Sequence, residues 1–256
     1  MRRFQFIIGI LAFAFLIDCL LYLFQPLGEN FYIIGDSAAV LFSFSAVVFG
    51  ISAFKSHQFS DLQGKALFFL TFGIFFWFLG ETTWAIYEVI LGLEVPVASV
   101  ADVFWIVGYP VVLISLYYIW KLVLWPTGKK NIILLAIFLL VVSFILWYLS
   151  IPALTDVGLS AAEKVSTAGY VIGDMLVVDA LIVVVVYLFR SKFLKTWGLI
   201  LIAMIMTTIA DVYYLHFLDI YQVGNLIDLF WDLSYITLAL AFIYHKEKWN
   251  AILSAT

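Results

Sequence analysis

The sequence predicts an all-α integral membrane protein of eight transmembrane helices, arranged as four helical hairpins with an internal repeat. Hydrophobic residues make up 66% of the 256 residues and charged residues only 12%, and the mean hydropathy is +1.13. A soluble domain is about half apolar and a quarter charged, so this composition indicates a chain that lies mostly in lipid. One span needs roughly 20 apolar residues, so the chain has room for about eight helices in a single transmembrane domain, 1–256.

The first four predicted helices are apolar stretches separated by short polar segments. Arg2 and Arg3 precede the first stretch, which is too long for a signal peptide, carries Asp18 and lacks a small-residue cleavage site, so it is expected to remain as a helix. A polar run, 55–65, separates the second helix from the third, and Pro110 is expected to kink the fourth. The predicted bounds are 4–24, 32–54, 66–91 and 100–122.

The last four predicted helices follow a polar loop at 125–130. The fifth helix carries no acid, whereas the sixth carries Asp174 and Asp179. These two acids make the third hairpin the most divergent of the four. The predicted bounds are 131–150, 162–189, 197–217 and 226–244.

The distribution of basic residues predicts the orientation in the membrane. Of the 13 lysines and arginines, all but Lys164 fall on one side of an eight-span topology. Because basic loops favour the cytoplasmic side, both termini are predicted to be cytoplasmic. Seven spans would scatter these residues over both faces. The sequence therefore predicts a multi-pass protein of the cell membrane, in contact with the lipid bilayer.

Carboxylates within the apolar segments are the candidate binding residues. An ionisable side chain in hydrocarbon is costly unless it is paired, protonated or next to a wet cavity. Asp18, Glu81 and Asp211 lie fifteen or sixteen residues beyond a basic residue of the predicted cytoplasmic side, roughly 22 to 24 Å into the membrane. Asp36, Asp102 and Asp228 lie slightly further out. These acids predict an acidic layer in the outer third of the bilayer.

The same residues also have a purely structural interpretation. Ser99 with Asp102, and Asn225 with Asp228, have the spacing of a capping box, in which side chains bind the free amides of a first helical turn. Asp18, Glu81, Asp174, Asp179 and Asp211 lie within predicted helices and cannot be explained as caps. Their structural alternative is a protonated or hydrogen-bonded acid.

A repeated pattern links the second and fourth hairpins. The spacing D-x-F-W-x-x-x-Y occurs from Asp102 to Tyr109 and again from Asp228 to Tyr235, and each copy follows an acid on the preceding helix. Hairpins of one orientation can be related only by an axis along the membrane normal, as in parallel repeats. A ring or bundle of hairpins about such an axis is expected.

Aromatic residues accompany these acids. Trp84 lies three residues after Glu81 and therefore on the same helix face. With Trp105, Tyr109, Trp231 and Tyr235, it predicts an aromatic-lined pocket, since acids beside aromatic faces suit an organic cation. Ordinary packing at the interface or in the core is the alternative.

Several kinds of chemistry are excluded or disfavoured. No lysine lies in a predicted membrane core, so retinal cannot be bound as a Schiff base, and His216 is the only histidine within a span, which excludes a bis-histidine haem. The IGD triplets ending at Asp36 and Asp174 lack the earlier glycine and the YD partner of intramembrane aspartyl proteases. No basic face suits nucleic acid, and no cofactor is predicted. A hard cation remains possible, with Glu81, Asp102, Asp211 and Asp228 as its candidate ligands.

One stretch resembles a known family. The run G-E-x-x-W-x-x-Y-E, Gly80–Glu88, followed by P-x-x-S-x-A-D-x-x-W-x-x-G-Y-P, Pro96–Pro110, resembles multi-helix membrane sensor modules found before diguanylate cyclase or kinase domains in bacterial and archaeal signalling proteins. The resemblance implies a sensor. Only twelve residues follow Tyr244, so the expected signal must pass to a separate cytoplasmic or membrane protein.

The leading hypothesis is therefore a stand-alone sensor or receptor-like module. It would bind a small cationic or amphiphilic ligand in an outward-facing pocket lined by acids and aromatic residues. The alternative is a cation- or proton-coupled transporter or channel that uses intramembrane carboxylates such as Asp179. An enzyme acting on a lipid-like substrate comes third, because paired carboxylates can act as acid and base, yet no residue is marked as a nucleophile.

Overall fold

The protein is helical throughout the residues described by the computed structural model, which are 2–96, 98–122, 129–155, 158–217 and 221–255, with the side chains of 2–4, 29, 129–131 and 153 left aside. No strand occurs among these residues. The long helices are α1 Arg2–Phe24, α2 Tyr32–Phe54, α3 Leu62–Ala85, α4 Val100–Leu122, α5 Lys129–Thr155, α6 Ala161–Tyr187, α7 Leu194–His216 and α8 Asp228–Leu253.

The predicted helical class and membrane character are confirmed at the level of the helices. In the described part of the chain, α1 to α7 each contain a stretch that is long and apolar enough to cross a membrane. α8 does not reach that standard, since it carries Asp228, Asp232 and three charged residues near its end. The crossing of the membrane by α8, and the cytoplasmic position of the termini, stay predictions.

Three helix ends differ from the predicted bounds for local reasons. α3 begins at Leu62 rather than 66 because the Asp61 side chain caps it, accepting a hydrogen bond from the Gly64 amide. Its regular part ends at Ala85, where a π-helical turn, Ile86–Ile90, replaces the last predicted turn. α8 continues from the predicted end at 244 to Leu253, because its last turns pack against the end of α2 and the loop that follows, where Lys246 donates to Ser52 Oγ and Trp249 Nε1 to the Ser56 carbonyl. α4 runs unbroken past the Pro110 position.

Six of the helices form a closed ring. Neighbouring contacts run α2–α3–α4–α6–α7–α8 and back to α2, while α1 packs outside against α8 and α5 packs outside against α6 and α7. The ring order of the first half, α2–α3–α4, repeats as α6–α7–α8. The repeating unit is therefore four helices with the first one outside, and α1 packs more on α8 than on its predicted hairpin partner α2.

Apolar residues fill the ring toward one end and face outward elsewhere. Leu67, Ile74, Leu238 and Phe242 are fully buried, on α3 and α8. In contrast, no residue in the most apolar window of α5 is buried. An apolar outer surface is what a lipid-facing helix requires. The remaining space inside the ring, near the end where α1 and α3 finish and α4 and α8 begin, contains the polar side chains.

Candidate functional site

A cavity of about 110 Å³ lies inside this polar end of the ring. It is formed by α2, α3, α4, α6, α7 and α8, with Tyr22 from α1 and residues of the segment before α8. Nine of the twelve sequence-predicted ligand-binding residues line it, and Asp18, Asp174 and Asp179 do not. The nine are Glu81, Trp84, Asp102, Trp105, Tyr109, Asp211, Asp228, Trp231 and Tyr235.

Glu81 on α3 is held by two neutral donors. Trp105 Nε1 donates to its Oε1 atom at 3.2 Å, and Tyr235 OH donates to the same atom at 2.7 Å. Trp105 comes from α4 of the same half of the ring, whereas Tyr235 comes from α8 of the other half. Glu81 therefore joins the two halves across the cavity, and no basic residue neutralises it in this arrangement.

Asp211 on α7 repeats this arrangement. Trp231 Nε1 of the same half donates to Asp211 Oδ1 at 2.7 Å, and Tyr109 OH of the other half donates to Asp211 Oδ2 at 3.0 Å. The repeated motif read from the sequence thus has a repeated geometry: its Trp binds the acid of its own hairpin and its Tyr binds the acid of the other. The predicted repeat is a pseudo-two-fold arrangement of hydrogen bonds around the cavity.

Asp174 lies behind Asp211 rather than on the cavity wall. Tyr109 OH is 2.8 Å from Asp174 Oδ1 as well as 3.0 Å from Asp211 Oδ2. A phenol carries one proton, so it can donate to only one of these carboxyls at a time. Glycine at position 173 allows this approach, because a Cβ atom there would lie 2.5 Å from the ring of Tyr109.

Asp102 and Asp228 act both as helix-end acids and as cavity residues. Asp102 Oδ2 accepts from the amide and hydroxyl of Ser99, as the capping interpretation predicts, and its Oδ1 accepts from Tyr170 OH at 2.7 Å. Asp228 accepts from the amide of Gly224 and from Tyr221 OH, each at 2.8 Å. For Asp102 the capping and cavity interpretations are therefore compatible. The predicted capping box of Asn225 with Asp228 does not form: α8 has no side-chain cap among the described residues, Asp228 accepts from the Gly224 amide, and Asn225 Oδ1 accepts from the Ile227 amide.

Aromatic rings surround the carboxyls on both sides. Trp84 and Trp105 are tilted against each other with ring centroids 5.7 Å apart. Tyr214 and Tyr221 each meet Trp231 edge to face, at 6.2 and 6.3 Å. Because aromatic faces carry negative electrostatic potential, they add to the field of the acids.

Two predicted site residues lie elsewhere. Asp179 on α6 is half-buried and accepts a hydrogen bond from Ser143 on α5, outside the ring. Asp18 on α1 faces Asp232 on α8, and both are buried. Asp18 therefore reaches the cavity only through Asp232, which lines it.

Several cavity residues were missed by the sequence analysis. Asp232 and Tyr22 line the cavity and were not predicted at all, whereas Asp36 was predicted in the acidic layer but not among the binding residues, and a second repeat would have indicated it. Tyr32–Asp36, YIIGD, opens α2, and Tyr170–Asp174, YVIGD, lies in α6, so the two acids occupy corresponding helices of the two halves.

No three carboxyl, histidine or cysteine side chains among the described residues are arranged as ligands of one metal ion. Glu81, Asp102, Asp211 and Asp228 share one cavity, but at least one oxygen of each is already hydrogen-bonded to a Trp, Tyr, Ser or backbone donor. The candidate ligand set for a hard cation is therefore not assembled.

A histidine pair lies at the opposite end of the bundle, outside the apolar spans. The Nε2 atoms of His57, in the loop between α2 and α3, and His245, after the apolar part of α8, are 3.0 Å apart. The ring of Trp249 stacks on His57 at 4.1 Å, and Asp61 lies 3.5 Å from His57 Nδ1. Burial lowers the pKa of His57, and burial with the neighbouring His57 lowers the pKa of His245 to about 3.

In the part of the chain that the structure describes, the fold and the cavity define a helical protein with seven helices suited to a membrane and an acidic, aromatic-lined cavity inside the helix ring. No protein-family model, curated protein or solved structure matches the chain.

Proposed function

We propose that this protein is a membrane receptor-like module that binds a small organic cation in the acidic cavity. One observation carries the proposal: six carboxyl side chains line the cavity, and none of the described residues that line it is Lys, Arg or His. Carboxylates buried without a countercharge are costly, so the cavity favours a positively charged occupant. The six acids are Asp36, Glu81, Asp102, Asp211, Asp228 and Asp232.

The way the acids are held supports binding rather than mutual neutralisation. Glu81 and Asp211 accept hydrogen bonds from indole and phenol groups, which fix their positions without cancelling their charge. A site whose groups are already oriented loses little free energy to ordering when the ligand binds.

Size and lining favour an ammonium group over a bare metal ion. The cavity of about 110 Å³ has room for a compact organic cation, and Trp84, Trp105 and Trp231 provide the aromatic faces on which quaternary ammonium groups bind. The lack of a preassembled set of three ligands among the described residues disfavours a divalent metal.

As a sensor in the cell membrane, the module would bind its ligand from the outer side. Ligand binding would then be transmitted to a separate signalling partner. The opposite end of the bundle, where α2, α3 and α8 meet, is the candidate contact surface. Support for this direction comes from the predicted bias of basic residues toward that side.

The test uses choline and its uncharged isostere 3,3-dimethyl-1-butanol as probes on the purified protein. Choline should bind and the isostere should not. Glu81→Gln and Asp211→Asn should each weaken choline binding roughly 30-fold, about 2 kcal/mol, and the double variant should lose it.

Asp179→Asn is the matched control, because this acid lies outside the ring; it should bind choline like the unaltered protein. Undiminished binding in a folded Glu81→Gln, Asp211→Asn double variant would overturn the proposal. Equal binding of choline and its isostere would also do so.

A carrier is the second candidate, favoured by the position of the cavity between two structurally equivalent halves, an arrangement used in transport. Choline flux in proteoliposomes that depends on a pH or sodium gradient would support a carrier. Binding without flux would support the receptor.

A further inference from the structure

Asp18 and Asp232 form a carboxyl pair that the arrangement described so far leaves without a role. Asp18 on α1 is 3% exposed and Asp232 on α8 is 1% exposed, and the two carboxyls face each other. All four of their oxygens are buried, and none accepts a hydrogen bond from a described donor. The other acids that line the cavity differ from this pair. Four of them accept at least one hydrogen bond, namely Glu81, Asp102, Asp211 and Asp228, and Asp36 has only one buried oxygen without a partner.

The surroundings do not neutralise this pair. The nearest titratable groups are all neutral or acidic, and no described basic side chain bonds to either carboxyl. Those groups are Cys19 and Tyr22 on α1, Glu81 on α3, and Asp228 and Tyr235 on α8.

Two adjacent carboxylates with no donor and no counter-ion are not stable in an apolar helix interface. A metal ion would require further oxygen ligands, and the described residues provide no third side chain there. A proton requires only two facing oxygens, and two carboxyls that share a site retain one for this reason.

We propose that Asp18 and Asp232 form a proton site which holds one shared proton while the cavity is empty and releases it when an organic cation binds. This inference rests on the proposed function. One positive charge enters the cavity and one proton leaves the pair for water, so the total charge is unchanged.

The position of Asp232 couples the two events. Asp232 lines the cavity and lies four residues after Asp228, on the same face of α8, so a cation bound beside these acids favours the ionised form of Asp232. Linkage then requires that removal of the proton also favours the bound cation.

The other half of the ring shows that packing does not require this acid. In the repeated motif, the position of Asp232 corresponds to Ile106 on α4. Ile106 lies against Gly169 on α6, where a Cβ atom would be 2.9 Å from its Cδ1 atom. An apolar residue therefore fits this position in the first half. The second half instead has the carboxyl of Asp232 there.

The first experiment needs no ligand. Infrared difference spectra of the full protein, recorded over a pH series, should show the C=O stretch of a protonated carboxyl that disappears as the pH rises. Asp232→Asn and, independently, Asp18→Asn should remove this band, whereas Asp179→Asn should keep it. A titrating band that both pair variants retain, or one that responds to sodium at constant pH, would overturn the proposal.

The second experiment counts protons. Adding tetramethylammonium to protein in a weakly buffered detergent solution should release one proton per bound cation, and its affinity should rise tenfold per pH unit across the range in which the band titrates. Asp18→Asn, a change to the pair member that does not line the cavity, should still bind the cation but release no proton. Full release from this variant would contradict the inference. If no cation bound, the proposed function would be refuted. The proton site would then be tested by the infrared experiment alone.

Discussion

The two halves of the helix ring hold their central acids with the same donors but differ in what lies behind those acids. Glu81 and Asp211 each accept from one indole and one phenol. Behind Asp211, Asp174 shares the Tyr109 hydroxyl. In the first half, the corresponding acid Asp36 instead faces Glu88 of the π-helical turn.

The two halves share the hydrogen bonds that position the helices around the cavity and differ in the acids that set its charge. The hydrogen bonds common to both halves fix the distance between α3, α4, α7 and α8. The acids that differ between the halves determine where excess negative charge accumulates. Substitutions at equivalent positions should therefore have unequal effects, and this inequality is measurable.

The largest difference is expected between Tyr109→Phe and Tyr235→Phe. Loss of the Tyr109 hydroxyl deprives two buried carboxyls of a donor and should lower the free energy of unfolding by about 3 kcal/mol. Loss of the Tyr235 hydroxyl leaves Glu81 with Trp105 and should cost about 1.5 kcal/mol. Denaturant unfolding in detergent micelles measures both. Equal losses would show that the two halves are energetically alike.

Gly80→Ala should have the next largest effect. A Cβ atom at position 80 would lie 2.4 Å from Trp105 Nε1, so the indole must move away from Glu81. The expected cost is about 2 kcal/mol, with weaker choline binding. The equivalent position of the second half is Ala210, which is fully buried. Ala210→Gly, the reciprocal change, should cost only about 1 kcal/mol and leave binding intact; the reverse ranking would contradict the packing difference.

The histidine pair provides a pH test that does not involve the cavity. Because burial lowers the pKa of His57 and lowers that of His245 to about 3, the folded state binds fewer protons than the unfolded state below about pH 6.5. The free energy of unfolding should therefore decrease as the pH drops from 6.5 toward 3, by up to about 1.4 kcal/mol per pH unit for His245.

Unfolding measured at several pH values should show this slope, and His245→Gln should reduce it. His216→Gln is the control, since this exposed histidine lies at the end of α7, away from the pair. A slope that persists in His245→Gln would assign the acid sensitivity to other groups.

The smallest effect is expected for Asp179→Asn. This side chain touches Ser143 at the contact of α5 with α6, and a single hydrogen bond retained by the amide should change stability by less than about 1 kcal/mol. Choline binding, measured by calorimetry, should not change. A large loss would extend the functional site to the outer helix α5.

Local properties of the sequence were enough to predict the helical membrane class and much of the site. Apolar length determines which segments can span lipid, and each helix from α1 to α7 was predicted within about four residues at its start and about six at its end. The repeated acid, Trp and Tyr pattern identified eight cavity residues, because a shared spacing places them on corresponding helix faces, and the three-residue spacing from Glu81 identified Trp84.

Only the tertiary structure decided which helices enclose the cavity and which acids meet. Tyr235 and Glu81 are 154 positions apart, and spacing within a helix indicates which residues share a face but not what that face contacts. For this reason Asp179 was predicted as a binding residue and lies outside the ring, whereas Asp232 was missed and Asp36 was left out of the binding residues. Packing of α1 against α8 brings Asp18 to Asp232, and that contact between the two ends of the chain creates the carboxyl pair.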